Sequence, residues 1–145
     1  MGTLVSEFVD KRKNLKFKAT GNSMFPFIKD GDGIKISPYI ENKPEIGDIV
    51  AYLDSNTRNL IVHRIIKLSA NQFIAKGDSC LHSDGTQSKD DILGYVAEIN
   101  QRLGLPNRLL VPRFKKIVTL LSLIRFTVIL SILLKPLIRQ NRSFM

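Results

Sequence analysis

Along residues 15 to 100 the hydrophobic and polar positions alternate in short runs broken by Gly, Pro, Asn and Asp, as strands with one buried face do. LKFKA (15–19) alternates, and GIKIS (33–37) sets Ile34 and Ile36 on one side. DIVAYL (48–53) follows the turn-like KPEIG, and LIVHRIIKL (60–68) is a longer strand opened by the polar turn DSNTRN. QFIAK (72–76) comes after a tight SAN turn, which predicts a hairpin with the strand before it, and ILGYVAEIN (92–100) closes the set. The expected class is mainly β, with a basic N-terminal segment at 1–14, a β domain at 15–104 and an appendage at 105–145.

Beyond Pro106 and Pro112 the pattern changes. Residues 117–134, IVTLLSLIRFTVILSILL, hold 13 apolar side chains and neither Gly nor Pro, which predicts a helix. At about 1.5 Å per residue it would extend roughly 27 Å, close to the thickness of a bilayer's hydrocarbon core. Thr119, Ser122, Arg125, Thr127 and Ser131 do not gather on one stripe, so the helix is not cleanly amphipathic. The apolar residues contribute roughly −0.3 to −0.6 kcal/mol each against roughly +2.5 to +3.5 for a mid-helix Arg125, so spanning is marginally favourable. Lys115, Lys116 and Lys135 at the two ends suit a short span or a helix lying in the interface. The expectation is membrane association through residues 115–138; a helix packed on the β domain or on a second copy is the alternative.

Charge adds to this picture. The 22 Lys and Arg against 13 Asp and Glu leave +9, concentrated near the two ends, while residues 21–100 are roughly balanced. Basic residues flanking an apolar helix fit an anionic membrane surface better than nucleic acid, and the modest aromatic content gives little for stacking on single strands. Cys80 is the single cysteine, which excludes an internal disulfide and a thiolate zinc site. His63 and His82 lack paired-ligand spacing, so neither a metal nor another cofactor is expected. The first residues, MGTLVSEFVDKRKN, contain no apolar core of a signal peptide; Gly2 and Ser6 fit the loose M-G-x-x-x-[ST] myristoylation pattern, which arises easily by chance.

The candidate chemistry begins with GNSMFPFIKDGD (21–32). A serine in a Gly-Asn turn is ordinarily there for turn chemistry. A hydroxyl acting as nucleophile needs a base within hydrogen-bond reach, and His63 in VHRII has a side chain that titrates in the neutral range. In KGDSCLHSDG, Asp84 or Asp78 would fix the imidazole tautomer and stabilise the imidazolium, with Asp84 placed first. The Gly21-Asn22-Ser23 turn would offer an oxyanion the Ser23 N–H, with the Asn22 side chain as a second donor. Lys67, Lys76 and His82 are the other candidate bases, and the Cys80 thiol is a remote candidate nucleophile. Met24 and Phe25 are expected to bury and hold the turn, and Pro26 to lock the chain after it.

Taken together and in order, GNSMFPFIKDGD, GDIVAY, VHRII and KGDSCLHSDG resemble the catalytic boxes of the LexA and type I signal peptidase superfamily of serine proteases. The resemblance covers residues 19 to about 98. It assigns the nucleophile of an S-M-x-P segment to Ser23, followed by Gly31-Asp32. His63 stands where bacterial members carry lysine, which resembles the archaeal and endoplasmic-reticulum branch with H-R-V at that place. The later G-D-N-N box is matched in part by Gly77-Asp78, with Ser79 and Cys80 in place of the two asparagines. Gly21 occupies the position where some relatives supply a hydroxyl to the oxyanion.

The resemblance implies a LexA-like β-ribbon fold and a serine endopeptidase that cleaves a signal or leader peptide after small residues. Only 22 residues precede Ser23, and the apolar segment lies at the other end from the anchor of familiar signal peptidases. A C-terminal anchor would most simply leave the β domain on the cytoplasmic face, which suits a specialised leader peptidase. Two other classes are weighed: a LexA-like regulator that cleaves itself, for which the first 20 residues are too short to hold a helix-turn-helix, and a non-catalytic basic membrane-associated protein.

Overall fold

The computed structural model describes residues 14–100 and 119–120. Seven strands form one antiparallel sheet: β1 (Leu15–Lys18), β2 (Gly33–Ser37), β3 (Ile49–Leu53), β4 (Leu60–Leu68), β5 (Gln72–Lys76), β6 (Thr86–Ser88) and β7 (Ile92–Asn100), in the spatial order β1-β2-β7-β3-β4-β5-β6. The chain is therefore mainly β. Thr119 and Leu120 have helical backbone; the rest of the expected C-terminal helix, with its membrane role, lies outside the described residues, as do the segment 1–13 and residues 101–118. Among the described residues no helix is long and apolar enough to cross a membrane.

The sheet buries both of its faces around β3. Ile49 and Ala51 join Met24, Ile28, Ile34, Ile36, Val96 and Ile99 in one apolar cluster, while Val50 and Tyr52 join Ile65, Phe73, Ala75 and Ile92 in another. A strand covered on both sides gains nothing from alternation, and accordingly IVAYL reads as a nearly continuous apolar run. The flanking strand β2 has one buried face and alternates strictly.

β4 changes partners along its length. It pairs with β3 from Leu60 to Arg64 and with β5 from Arg64 to Leu68, with a register irregularity between Ile65 and Lys67. Its first residues, Leu60–Val62, are thus paired with a described strand on one side only. Val50 lies opposite His63 and Tyr52 opposite Ile61, so Tyr52 and His63 project from the same face of the sheet on neighbouring strands.

The strand not expected from the sequence is β6. TQS has no apolar alternation, and its extended form follows from pairing with Gln72–Ile74 of β5. A 3₁₀ turn at Lys89–Asp91, capped by the Ser88 side chain accepting from the Asp90 N–H, leads from it into β7.

Candidate active site

The turn after β1 is closed by its own polar groups. Gly21 has φ +86°, in the left-handed region that glycine occupies without penalty, and donates its N–H to Asp30 Oδ1 at 2.9 Å. The Asp30 N–H reaches Asn22 Oδ1 at 3.4 Å, and Asp32 Oδ2 accepts from the Lys29 N–H at 2.9 Å. Ala19 N–H donates to Asp32 O and Gly31 N–H to Ala19 O, both at 2.8 Å, pinning the two ends of the segment together. Met24, Phe25 and Ile28 are buried, which anchors the turn to the core. The Phe25–Pro26 peptide bond is cis.

This turn presents Ser23 to β4. Ser23 Oγ is 2.9 Å from His63 Nε2, and His63 Nδ1 is 2.6 Å from Asp84 Oδ2. An ionised carboxylate can only accept, so Nδ1 carries the imidazole proton and Nε2 accepts from the serine hydroxyl. Ser23, His63 and Asp84 come from three separate parts of the sequence and form one continuous hydrogen-bonded chain. His63 is almost fully buried, whereas the Asp84 side chain retains 16% of its exposure.

Asp78 is engaged elsewhere. Its Oδ1 and Oδ2 accept from Arg64 Nε at 2.9 Å and Nη2 at 2.8 Å, while Arg64 Nη1 donates to Gly47 O at 2.8 Å. Both members of this pair are fully buried, and the guanidinium lies 5.5 Å from the Phe27 ring centre. Arg64 thereby joins the loop before β3, the loop after β5 and the turn that carries Ser23. Asp84 is consequently the carboxylate that meets His63, and Asp78 the one that fastens the framework next to it.

The loop after β5 also touches Ser23 directly. Ser79 N–H donates to Ser23 O at 2.9 Å, and Ser79 Oγ lies 2.6 Å from Asn22 O and 3.0 Å from Ser23 O. Gly77 sits where a side chain would not fit: a Cβ there would lie 2.7 Å from Ser23 O, 2.6 Å from Cys80 Sγ and 3.0 Å from His63 Nε2.

Asp84 is held at several points. Its N–H donates to Ala75 O at 2.9 Å, and its carbonyl accepts from Gln87 Nε2 at 3.1 Å. The Tyr52 hydroxyl donates to Oδ2 at 2.7 Å, the same oxygen that meets His63. Burial, followed by the hydrogen bond to Asp84, pushes the Tyr52 phenol far above its ordinary range.

The other candidates fall around this centre. Cys80 is half-buried, and burial, followed by the Asp84 charge, raises its thiol pKa, which keeps it in the poorly nucleophilic protonated form. Lys67 is exposed on β4, Lys76 is buried on β5 opposite Arg64, and His82 is exposed in the loop. The sequence assigns no role to Tyr52, Arg64 or Ser79, the last two of which stand inside the VHRII and KGDSCLHSDG boxes. A tyrosine inside an apolar strand was the available signal for one of them, because a buried hydroxyl requires a partner.

A cleft of about 260 Å³ opens beside Ser23 and His63. Phe17, Ala19, Met24, Ile34, Leu60 and Val62 supply its apolar wall, so it runs between β1 and the first residues of β4. No protein-family model matches the chain, and no curated protein matches it.

Proposed function

We propose that the chain is a serine endopeptidase of the signal peptidase type, acting on a signal or leader segment by a Ser23–His63–Asp84 mechanism. The observation that carries this reading is the continuous hydrogen-bonded path from Ser23 Oγ through both imidazole nitrogens to Asp84. The ordered sequence boxes around Ser23, His63 and Asp78, which resemble the Ser-His branch of the LexA and signal peptidase superfamily, add to it. In this reading the β-ribbon of that superfamily is the finer description of the sheet, and residues 115–138 hold the enzyme at a membrane.

The chemistry proceeds as acyl transfer. The Ser23 hydroxyl passes its proton to His63 Nε2 as Oγ bonds to the scissile carbonyl carbon, and the imidazolium is stabilised by Asp84. The negative oxygen of the tetrahedral intermediate is met by the Ser23 N–H; Gly21 N–H is committed to Asp30, and Asn22 Oδ1 accepts from the Asp30 N–H. His63 then protonates the departing amine as the C–N bond breaks. Water, deprotonated by the same imidazole, hydrolyses the acyl-serine and regenerates the hydroxyl.

The cleft suits an extended peptide. It is flanked by β1 and by the part of β4 that, among the described strands, pairs with β3 alone, so main-chain groups at its border can bond a substrate strand while apolar walls take its side chains. Labelling with a fluorophosphonate and cleavage of a signal-like peptide test the reading. Both are expected from the intact chain and to be lost from Ser23→Ala and His63→Ala, the latter by about 10⁴-fold or more. Equal labelling of the two variants and the parent would remove the dyad.

A further inference from the structure

We propose that Tyr52 is a positioning residue for the reaction: its hydroxyl, donated to Asp84 Oδ2, holds that carboxylate in the orientation in which it meets His63 Nδ1. The proposal rests on the peptidase reading of the site and extends it to a residue in the centre of the sheet.

Asp84 stands in a loop, between the exposed residues Leu81–Ser83 and Gly85, whose φ is +78°. The backbone bonds to Ala75 O and from Gln87 Nε2 fix where its main chain lies. They do not fix the rotation of the carboxylate about its side-chain bonds, and a partly exposed carboxylate has water as a competing partner. Among the described residues two donors converge on Oδ2: His63 Nδ1 at 2.6 Å and Tyr52 Oη at 2.7 Å.

Of these two, only Tyr52 comes from a rigid support that takes no part in proton transfer. It lies on β3 and is completely buried, its ring meeting Phe73 edge-on at 5.1 Å between centres. Because Tyr52 pairs with Ile61, and Val50 with His63, the β3–β4 register sets the phenol and the imidazole at a fixed separation on the same face. The burial that raises the phenol pKa keeps it protonated, so it remains a donor while the imidazole gains and loses its proton. A donor that persists through the cycle keeps Asp84 an acceptor and keeps the imidazole tautomer with its lone pair toward Ser23.

Tyr52→Phe deletes the hydroxyl and retains the ring. The expected result is a fall in kcat of about 10- to 100-fold, the scale of one hydrogen bond to a charged group, with KM within about twofold. The proton on His63 Nδ1, observed by NMR in the resting protein, is expected to change its chemical shift. Phe73→Leu loosens the packing of the same ring but keeps the hydroxyl, and is expected to leave both kcat and that resonance near those of the parent when both are folded.

An unchanged kcat together with an unchanged resonance in Tyr52→Phe overturns the proposal. So does a Phe73→Leu variant that reproduces both effects, which would assign them to packing. Fluorophosphonate labelling of the parent against Ser23→Ala is run alongside. Its failure would remove the peptidase reading alone, since the NMR comparison tests the Tyr52–Asp84–His63 linkage without turnover.

Discussion

Two aspartates six positions apart in one loop, Asp78 and Asp84, meet two adjacent residues of β4, Arg64 and His63. The first pair is sealed from water and bidentate. The second is a single contact, reaches the serine through the imidazole, and is partly open to solvent. Successive side chains on a strand leave by opposite faces, so β4 sends the guanidinium and the imidazole to different surroundings. One loop thus supplies a fastening at Asp78 and, at Asp84, the carboxylate that meets the imidazole. A carboxylate saturated by a buried guanidinium is a poor partner for the imidazolium of the proposed reaction, whereas the Tyr52 hydroxyl beside Asp84 is neutral.

The contrast is broken most severely by neutralising Asp84. Asp84→Asn is expected to lower kcat/KM by about 10⁴-fold, through the wrong imidazole tautomer, while the denaturant midpoint moves little. An activity close to the parent's would show that Asp84 is a bystander.

Asp78→Asn is expected to do the reverse. It leaves a buried guanidinium without its charge partner, which lowers unfolding stability by about 3–5 kcal/mol in denaturant titration. Residual activity of the folded fraction should stay well above that of Asp84→Asn. Replacing both members with apolar residues, Arg64→Met with Asp78→Leu, should recover much of the loss in stability; failure to recover would mean that the links to Gly47 and Phe27 dominate.

Gly77→Ala strikes the start of the loop, where it passes Ser23 and His63. The added methyl group overlaps Ser23 O and Cys80 Sγ and crowds His63 Nε2, so either the loop or the nucleophile turn must shift. Displacement by a fraction of an ångström to about 1 Å is expected to reduce kcat by about 10²-fold, measured against Ser79→Ala, which removes only the hydroxyl bonds to Asn22 O and Ser23 O. Full activity of Gly77→Ala would show that the loop yields freely.

The smallest effect is alkaline. Burial, reinforced by Asp48 for Tyr39 and by Asp84 for Tyr52, raises both phenols above their ordinary value. In the unfolded chain they ionise near pH 10, about where free tyrosine does, so above that pH the unfolded state sheds protons that the folded state keeps. Stability is therefore fully present below about pH 10 and declines as pH rises further. Denaturant midpoints across that range should fall more gently for Tyr52→Phe than for the parent; an equally steep decline would show that Tyr52 ionises as readily in the folded protein.

The strands were legible wherever burial is periodic or continuous. Gly33–Ser37, Leu60–Leu68, Gln72–Lys76 and Ile92–Asn100 have the expected bounds, and β1 and β3 differ from expectation by one residue. β6 was not legible, because Thr86–Ser88 owes its form to the edge of β5 rather than to an apolar pattern of its own. Ser23 and His63 could be singled out by residue type and by the company of neighbouring turns.

Their meeting across 40 residues, and the choice between two aspartates in the same loop, depend on distances that no local pattern encodes. Local sequence determined the extended segments, the glycine-bearing turn and the residue types capable of acyl transfer, since backbone preference and side-chain chemistry act over a few residues. Tertiary structure decided that Arg64 claims Asp78, that His63 meets Asp84, and that Tyr52 reaches the same carboxylate oxygen. Strand register and the faces of β3 and β4 set those pairings, and they exist only once the sheet has formed.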